Sequence, residues 1–281
     1  MPEGDSVWRL SERLQPLVGR TIEDSQFRVP PLATATLTGS TITRVWPHGK
    51  HLFWRCDERI LHTHLRMDGT WRIHPAGTRW GLPAHTARVV LRVSGGIELV
   101  GHSLGLVELW PAGEFQARMG HLGPDPLAED WLTTGRWAPT GRDEAVRRLA
   151  AHPERTVGEA LLDQRVLAGV GNEYRAELCF LLGVHPATPV GATDASAVVN
   201  LAGRVMRGNL TSPVRTFTGD HRPGQTSFVF GRKGRPCRRC GAAILGGALG
   251  GATTVADPRA GQERVIWWCP ACQPLLGAAG M

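Results

Sequence analysis

Two Cys-x2-Cys pairs near the C-terminus, Cys237/Cys240 and Cys269/Cys272, constrain this chain more than any other feature. A two-residue gap lets each knuckle turn and aim both sulfurs at one metal ion, and four thiolates close a tetrahedron around zinc. A closed tetrahedron leaves no open coordination position, so one Zn2+ with a structural role is expected. The bland alternative, four unrelated buried cysteines, does not account for two matched pairs. The segment between Cys240 and Cys269 is long for such a module. The stretch Gly246-Gly-Ala-Leu-Gly-Gly251 fits an extra loop within its hairpin. Arg232, Lys233, Arg235, Arg238, Arg239 and Arg264 make the module basic, as a hairpin touching a phosphate backbone would be. Cys56 and Cys179 are isolated among apolar neighbours and read as buried thiols.

Ahead of this module the hydrophobic pattern changes character twice. Val7, Leu10, Leu14 and Leu17 recur at helical spacing until Gly19 stops them. Residues 21–110 then break into short β runs separated by Gly, Pro and Asp. Many short strands after one helix point to a sandwich or barrel. The turn-rich Gly120-His-Leu-Gly-Pro-Asp-Pro-Leu127 reads as a linker, and helical patterns follow at 143–150, 156–162, 172–182 and 193–207. The expected class is α+β and multidomain: residues 1–120 a helix with a β-sandwich, 121–140 a linker, 141–215 helical, and 216–281 the zinc module. The 281 residues suffice for such an arrangement, and the net charge of +7 favours a polyanionic partner. No run is apolar enough to span a membrane and no leader pattern precedes the first helix, so a cytoplasmic protein is expected.

Three small motifs carry chemistry. Met1-Pro2-Glu3-Gly4 opens the chain. With Met1 removed, Pro2 becomes a secondary amine able to attack a sugar aldehyde carbon and form an iminium. Glu3 beside it can give or take protons. The bland reading is an ordinary helix start, for which Pro and Glu are both suited. Lys50 and Lys233 are the only lysines among 32 Lys and Arg residues. A lysine kept where arginine is otherwise used suggests a task needing an exchangeable proton, which points to Lys50. Gly169-Val-Gly171 makes a tight turn before a helix, with Asn172 at the expected N-cap. Such a helix start can hold phosphate; a plain αα-hairpin capped by Asn fits the same residues.

In order along the chain, Pro2-Glu3-Gly4-Asp5, Gly49-Lys50-His51-Leu52, His64-Leu-Arg-Met-Asp-Gly69, Leu122-Gly-Pro-Asp-Pro-Leu127, Gly169-Val-Gly-Asn172, Phe230-Gly-Arg-Lys-Gly-Arg-Pro-Cys237 and Trp268-Cys-Pro-Ala-Cys-Gln273 resemble the formamidopyrimidine-DNA glycosylase / endonuclease VIII family of base-excision repair enzymes. Gly4-Asp5 is similar to the endonuclease VIII branch in its actinobacterial forms. The resemblance implies an N-terminal helix on a β-sandwich, a helix–two-turns–helix domain and a zinc-finger β-hairpin, acting as a monomer on damaged double-stranded DNA held in a cleft. It implies a glycosylase that also cleaves abasic sites by β,δ-elimination. In that reading Pro2 attacks C1′, Glu3 is its acid/base partner, Lys50 is the proton donor associated with β-elimination, and Arg264 holds a phosphate and serves δ-elimination. Asn172 grips backbone phosphate, with Lys233 and Arg232 as weaker candidates for such a contact, and Met67 fills the gap left by a flipped base.

Departures bear on the substrate. Ser6 stands where many relatives carry a carboxylate, and His102-Ser-Leu-Gly-Leu-Val107 offers no clear match to the opposite-strand Arg of the purine-specific branch. Oxidised pyrimidines are therefore the expected substrates, with oxidised purines as the alternative. A protein that binds damaged DNA without catalysis is the other.

Overall fold

A computed structural model of the chain describes residues 2–249 and 264–275. These fall into two compact units that meet in sequence at His121 and Leu122.

The first unit opens with α1 (Gly4–Leu14), whose Val7, Leu10 and Leu14 are buried. Eight strands follow: β1 (Ile22–Phe27), β2 (Ile42–His48), β3 (His51–Cys56), β4 (Arg59–His64), β5 (Thr70–Pro75), β6 (Ala87–Val93), β7 (Ile97–His102) and β8 (Leu106–Pro111). They form two antiparallel four-stranded sheets, β1-β6-β7-β5 and β2-β3-β4-β8. Alternation along each strand sends one face inward. Ile22, Val89, Leu91 and Leu99 from one sheet meet Val45, Leu52, Trp54 and Leu61 from the other, and α1 adds its apolar stripe to this core. Trp54 and Trp71 pack with ring centroids 5.1 Å apart. The sandwich expected from the short strands is therefore present. Cys56 is buried within it, and burial pushes its thiol up to about 12. The short α2 (Phe115–Met119) lies over the opposite face of the second sheet, where Phe115 meets Phe53 edge-on at 5.2 Å.

The second unit contains α3 (Gly141–Ala150), α4 (Val157–Leu162), α5 (Asn172–Leu182), α6 (Ala195–Gly208) and the antiparallel pair β9 (Leu245–Leu249) and β10 (Arg264–Trp268). Thr140, Thr156 and Asp194 cap α3, α4 and α6 through their side chains, the usual answer to the free N–H groups of a helix start. Cys179 is fully buried on α5.

Three sequence readings change here. The stretch read as a linker carries a packed face: Leu122, Leu127 and Trp131 are buried, and the indole of Trp131 sits where a Cβ on Gly203 of α6 would clash. Proline and glycine mimic a linker's composition, but apolar Leu and Trp supply a face to bury. Asn172 is not the N-cap of α5. Gly171 holds that position, and the Asn172 amide is engaged elsewhere. The glycine-rich stretch does not begin as a loop; Gly246 and Gly247 lie inside β9, and residues 250–263 are outside the described ones. Glycine suits this strand because a Cβ on Gly247 would approach the Trp268 ring at 3.3 Å.

Candidate active site

In the first unit, two elements carry the expected reactive groups. Glu3 is the N-cap of α1: its carbonyl accepts the N–H groups of Ser6 and Val7 at 2.9 and 3.1 Å. Its side chain is fully buried, and Pro2 beside it is half-buried. The positive end of a helix favours an ionised carboxylate and disfavours a protonated amine nearby. α1 packs on β2 and β3, and the turn joining those strands is Gly49-Lys50. His48 pairs with His51 and leaves two residues to reverse the chain. Gly49 takes φ of 57°, the positive value such a turn asks of its first central residue. The fold thus sets Pro2 and Glu3 just ahead of the helix that rests against the hairpin of Lys50.

A histidine cluster lies at that end of the second sheet. His51 faces His64 across the β3–β4 ladder, and His62 faces Glu108 across β4–β8. His51 Nδ1 is 2.8 Å from His62 Nε2, and His62 Nδ1 is 2.9 Å from Glu108 Oε2. Burial holds His64 down to about 4, and the charges of Lys50 and Arg66 add to the effect. The lysine therefore sits in a neighbourhood that resists further positive charge. His64 Nδ1 accepts the Arg66 N–H at 2.9 Å and pins the start of the turn that follows. At that turn Arg66 has φ of 53°, and Met67 stands 62% exposed. A large apolar side chain held out on a braced turn has the form of a wedge.

In the second unit, α5 begins beside β10. Asn172 Nδ2 donates to the Val265 carbonyl at 3.0 Å, and Arg175, itself buried, donates to the same carbonyl at 3.0 Å and to Asn172 Oδ1. These bonds fix the backbone next to Arg264, which opens β10 opposite Leu249. The turn before α5 is braced by Gln164, which accepts from the Gly169 N–H and donates to the Val170 carbonyl. Lys233 lies along β9, its side chain 3.1 Å from where a Cβ on Gly246 would be. Arg232 is buried and gives its two terminal nitrogens to the Phe228 and Pro236 carbonyls.

Cys237, Cys240, Cys269 and Cys272 converge, with all four sulfurs within 4.8 Å of one another. The separations of 4.0 Å for Cys237–Cys272 and 3.4 Å for Cys240–Cys269 bracket the ~3.8 Å edge of a tetrahedron with 2.3 Å metal–sulfur bonds. Backbone N–H groups of Arg239 and Cys272 point at Cys237 and Cys269 sulfurs at 3.4 Å, as thiolate ligands require of their surroundings.

Residues 1–103 match the model for the formamidopyrimidine-DNA glycosylase N-terminal domain, and residues 122–212 match that for the formamidopyrimidine-DNA glycosylase H2TH domain. The chain belongs to this family. It is 45% identical to the probable endonuclease 8 2 of Streptomyces coelicolor, over 97% of this chain and 94% of that one. It is 40% identical to the DNA-(apurinic or apyrimidinic site) lyase Nei2 of Mycolicibacterium smegmatis, over 97% and 99%. Its fold is that of the Lactococcus lactis Fpg in complex with abasic-site DNA, with a TM-score of 0.73, 22% identity, and coverage of 97% and 99%.

Three residues of this glycosylase-family chain make buried bonds that the motifs do not announce. Glu177, buried on α5, accepts N–H bonds from Phe228, Val229 and Phe230 at 2.8, 2.9 and 2.7 Å. Burial pushes its carboxyl up to about 7 against the downward pull of those donors. Arg175 ties α5 to β10, as described. Gln273 accepts from the Cys269 N–H and donates to the Val184 carbonyl, both at 2.9 Å. For the two charged ones a signal was available: Arg175 and Glu177 lie two apart in a stretch whose neighbours Ala176, Leu178, Cys179 and Phe180 are apolar.

Proposed function

We propose that this chain is a bifunctional DNA glycosylase and abasic-site lyase that removes oxidised pyrimidines from double-stranded DNA, working as a cytoplasmic monomer. The observation that carries the reading is Pro2-Glu3 at the start of a helix seated on the hairpin whose turn is Gly49-Lys50. Once Met1 is removed, the Pro2 amine attacks C1′ of the damaged nucleotide as the base leaves. Glu3 moves the proton that opens the sugar ring and yields the iminium. Lys50 is the proton donor associated with β-elimination, and Arg264, at the start of β10, holds the phosphate for δ-elimination. Flipping the nucleotide costs a few kcal/mol, offset by phosphate contacts and by a wedge, for which Met67 has the exposure. Asn172, whose Nδ2 has a second N–H beyond the one given to Val265, contacts phosphate beside the lesion, and Lys233 is a further candidate for a phosphate contact. The buried carbonyl contacts of Arg232 favour bracing of the module over phosphate binding.

Cys237, Cys240, Cys269 and Cys272 would hold one Zn2+ in a closed site. The ion fixes the hairpin of Arg264 and supplies no reaction chemistry. The bounds 1–120, 141–215 and 216–281 serve as the working domain limits, with 121–140 as a packed connection. Among the described residues no helix is long and apolar enough to cross a membrane.

Duplexes carrying thymine glycol, dihydrouracil or 8-oxoguanine test the substrate. Incision at the two pyrimidine lesions is expected to exceed incision at 8-oxoguanine opposite C. The reverse preference contradicts the pyrimidine assignment, and no incision of any lesion or of an abasic site favours a binding protein.

A further inference from the structure

Burial disfavours the charged form of each ring in the histidine cluster, and for neutral rings the hydrogen bonds fix the proton positions. The Glu108 side chain is 41% exposed, and its carboxyl oxygen Oε2 accepts from His62 Nδ1. His62 must therefore carry its proton on Nδ1, which leaves a lone pair on Nε2 when the ring is neutral. His51 Nδ1 points at that lone pair from 2.8 Å, so it donates. His51 is left with a lone pair on Nε2, to which no group among the described residues hydrogen-bonds. His64 has the opposite form: its Nδ1 accepts the Arg66 N–H, so its proton is on Nε2. The arrangement is held rigidly. His62 stacks on Phe53 at 4.7 Å, and the His51 and His64 rings meet edge to face at 4.9 Å.

The groups facing this cluster are nearly all cationic types. His48 lies on β2, Lys50 on the turn, Arg66 beyond β4, Arg118 on α2 and His121 after it. Glu108 is the acid paired with the cluster. A second positive charge near Lys50 would drive off the lysine proton.

We propose that Glu108 and His62 are positioning residues for Lys50: they hold His51 as a neutral Nδ1–H imidazole with an open Nε2 lone pair beside the Lys50 turn, so that the proton of this site resides on the lysine. The inference rests on the reading of Lys50 as a proton donor. Burial is the main cause that keeps all three rings neutral, taking His51 to about 2 and His64 to about 4. His51 thus acts as a hydrogen-bond acceptor and takes no proton itself. A lysine that donates is active while charged, so removing the Glu108 carboxylate should move the basic limb of strand cleavage at an abasic site to lower pH.

The test uses the full-length protein with 15N-labelled histidine and long-range proton–nitrogen correlation at pH 7. His51 and His62 are expected to carry the proton on Nδ1, and His64 on Nε2. In His62→Phe, which keeps the ring stacked on Phe53, and in Glu108→Leu, at a half-exposed position, His51 should lose its fixed tautomer. Strand cleavage at a ready-made abasic site should fall about tenfold in kcat with KM unchanged, and its basic limb should move to lower pH in Glu108→Leu. Borohydride trapping on abasic DNA, which captures the Pro2 adduct before elimination, together with the urea unfolding midpoint, reports that each variant is folded. A wild-type His51 protonated on Nε2, or variants that match wild type in tautomer, rate or pH limb, would overturn the proposal. A wild-type protein that forms no covalent adduct with abasic DNA contradicts the functional reading instead.

Discussion

Each unit presents a candidate cation on a β-hairpin, and the two hairpins are held by different physics. The turn of Lys50 belongs to a four-stranded sheet with Leu52 and Trp54 buried beneath it and His51, His62 and Glu108 bonded above. The hairpin that carries Arg264 is a ribbon of two strands. A two-stranded ribbon cannot bury enough apolar surface to be stable by itself. Its place is fixed by four cysteines, by Asn172 and Arg175 on the Val265 carbonyl, and by Glu177 and Gln273. One hairpin is a product of core packing; the other depends on discrete staples.

The largest contrast should come from the staples. Chelating zinc, or Cys269→Ser, is expected to unfold the second hairpin and leave the sandwich intact, because zinc binding at such sites contributes about 10–16 kcal/mol. Limited proteolysis with zinc analysis measures this, and DNA affinity should go with the metal. Trp54→Ala is the converse experiment. It removes a fully buried ring from the sandwich and should cost about 3–5 kcal/mol in urea unfolding, with the cysteine module unaffected. Glu177→Gln replaces an acceptor of three N–H groups with a side chain that is partly a donor. A loss of about 1–3 kcal/mol is expected, read as faster amide exchange at Phe228, Val229 and Phe230 and no change in the sandwich.

Acid should separate the units more gently. His51 and His64 titrate below the ordinary histidine value in the fold, so the unfolded chain binds more protons below about pH 6.5. Their contribution is complete above that pH and is lost as pH falls, for His64 through about 4. The sandwich should melt at lower temperature at pH 5 than at pH 7, and His64→Gln should flatten that dependence.

The two hairpins were also unequally legible. Periodicity located α1 and most of the sandwich strands, since a two-residue repeat with Gly and Pro punctuation has few other solutions. The Cys-x2-Cys spacing foretold the cluster for the same reason. What escaped were contacts made by buried polar groups. Alternation puts His62 and His64 on one face, but nothing in the sequence says that His51 and Glu108 join them there; register decides it. Asn172 looked like a cap because Asn usually is one, yet Arg175 and Val265 claim its amide. Arg232 looked like a phosphate contact by charge, and burial gives it two carbonyls. Pattern identifies which residues are apolar in period; it is silent on which donor finds which acceptor across the fold.

The central claim is that Pro2 is the covalent centre. Protein whose N-terminus is shown by mass spectrometry to begin at Pro2 would be treated with borohydride on abasic-site duplex, and the adduct mapped by peptide digestion. The account predicts a single trapped species with the deoxyribose remnant on the Pro2 nitrogen, absent when a tag blocks that amine. No adduct from processed protein, or an adduct mapped to Lys50 or Lys233, would contradict it.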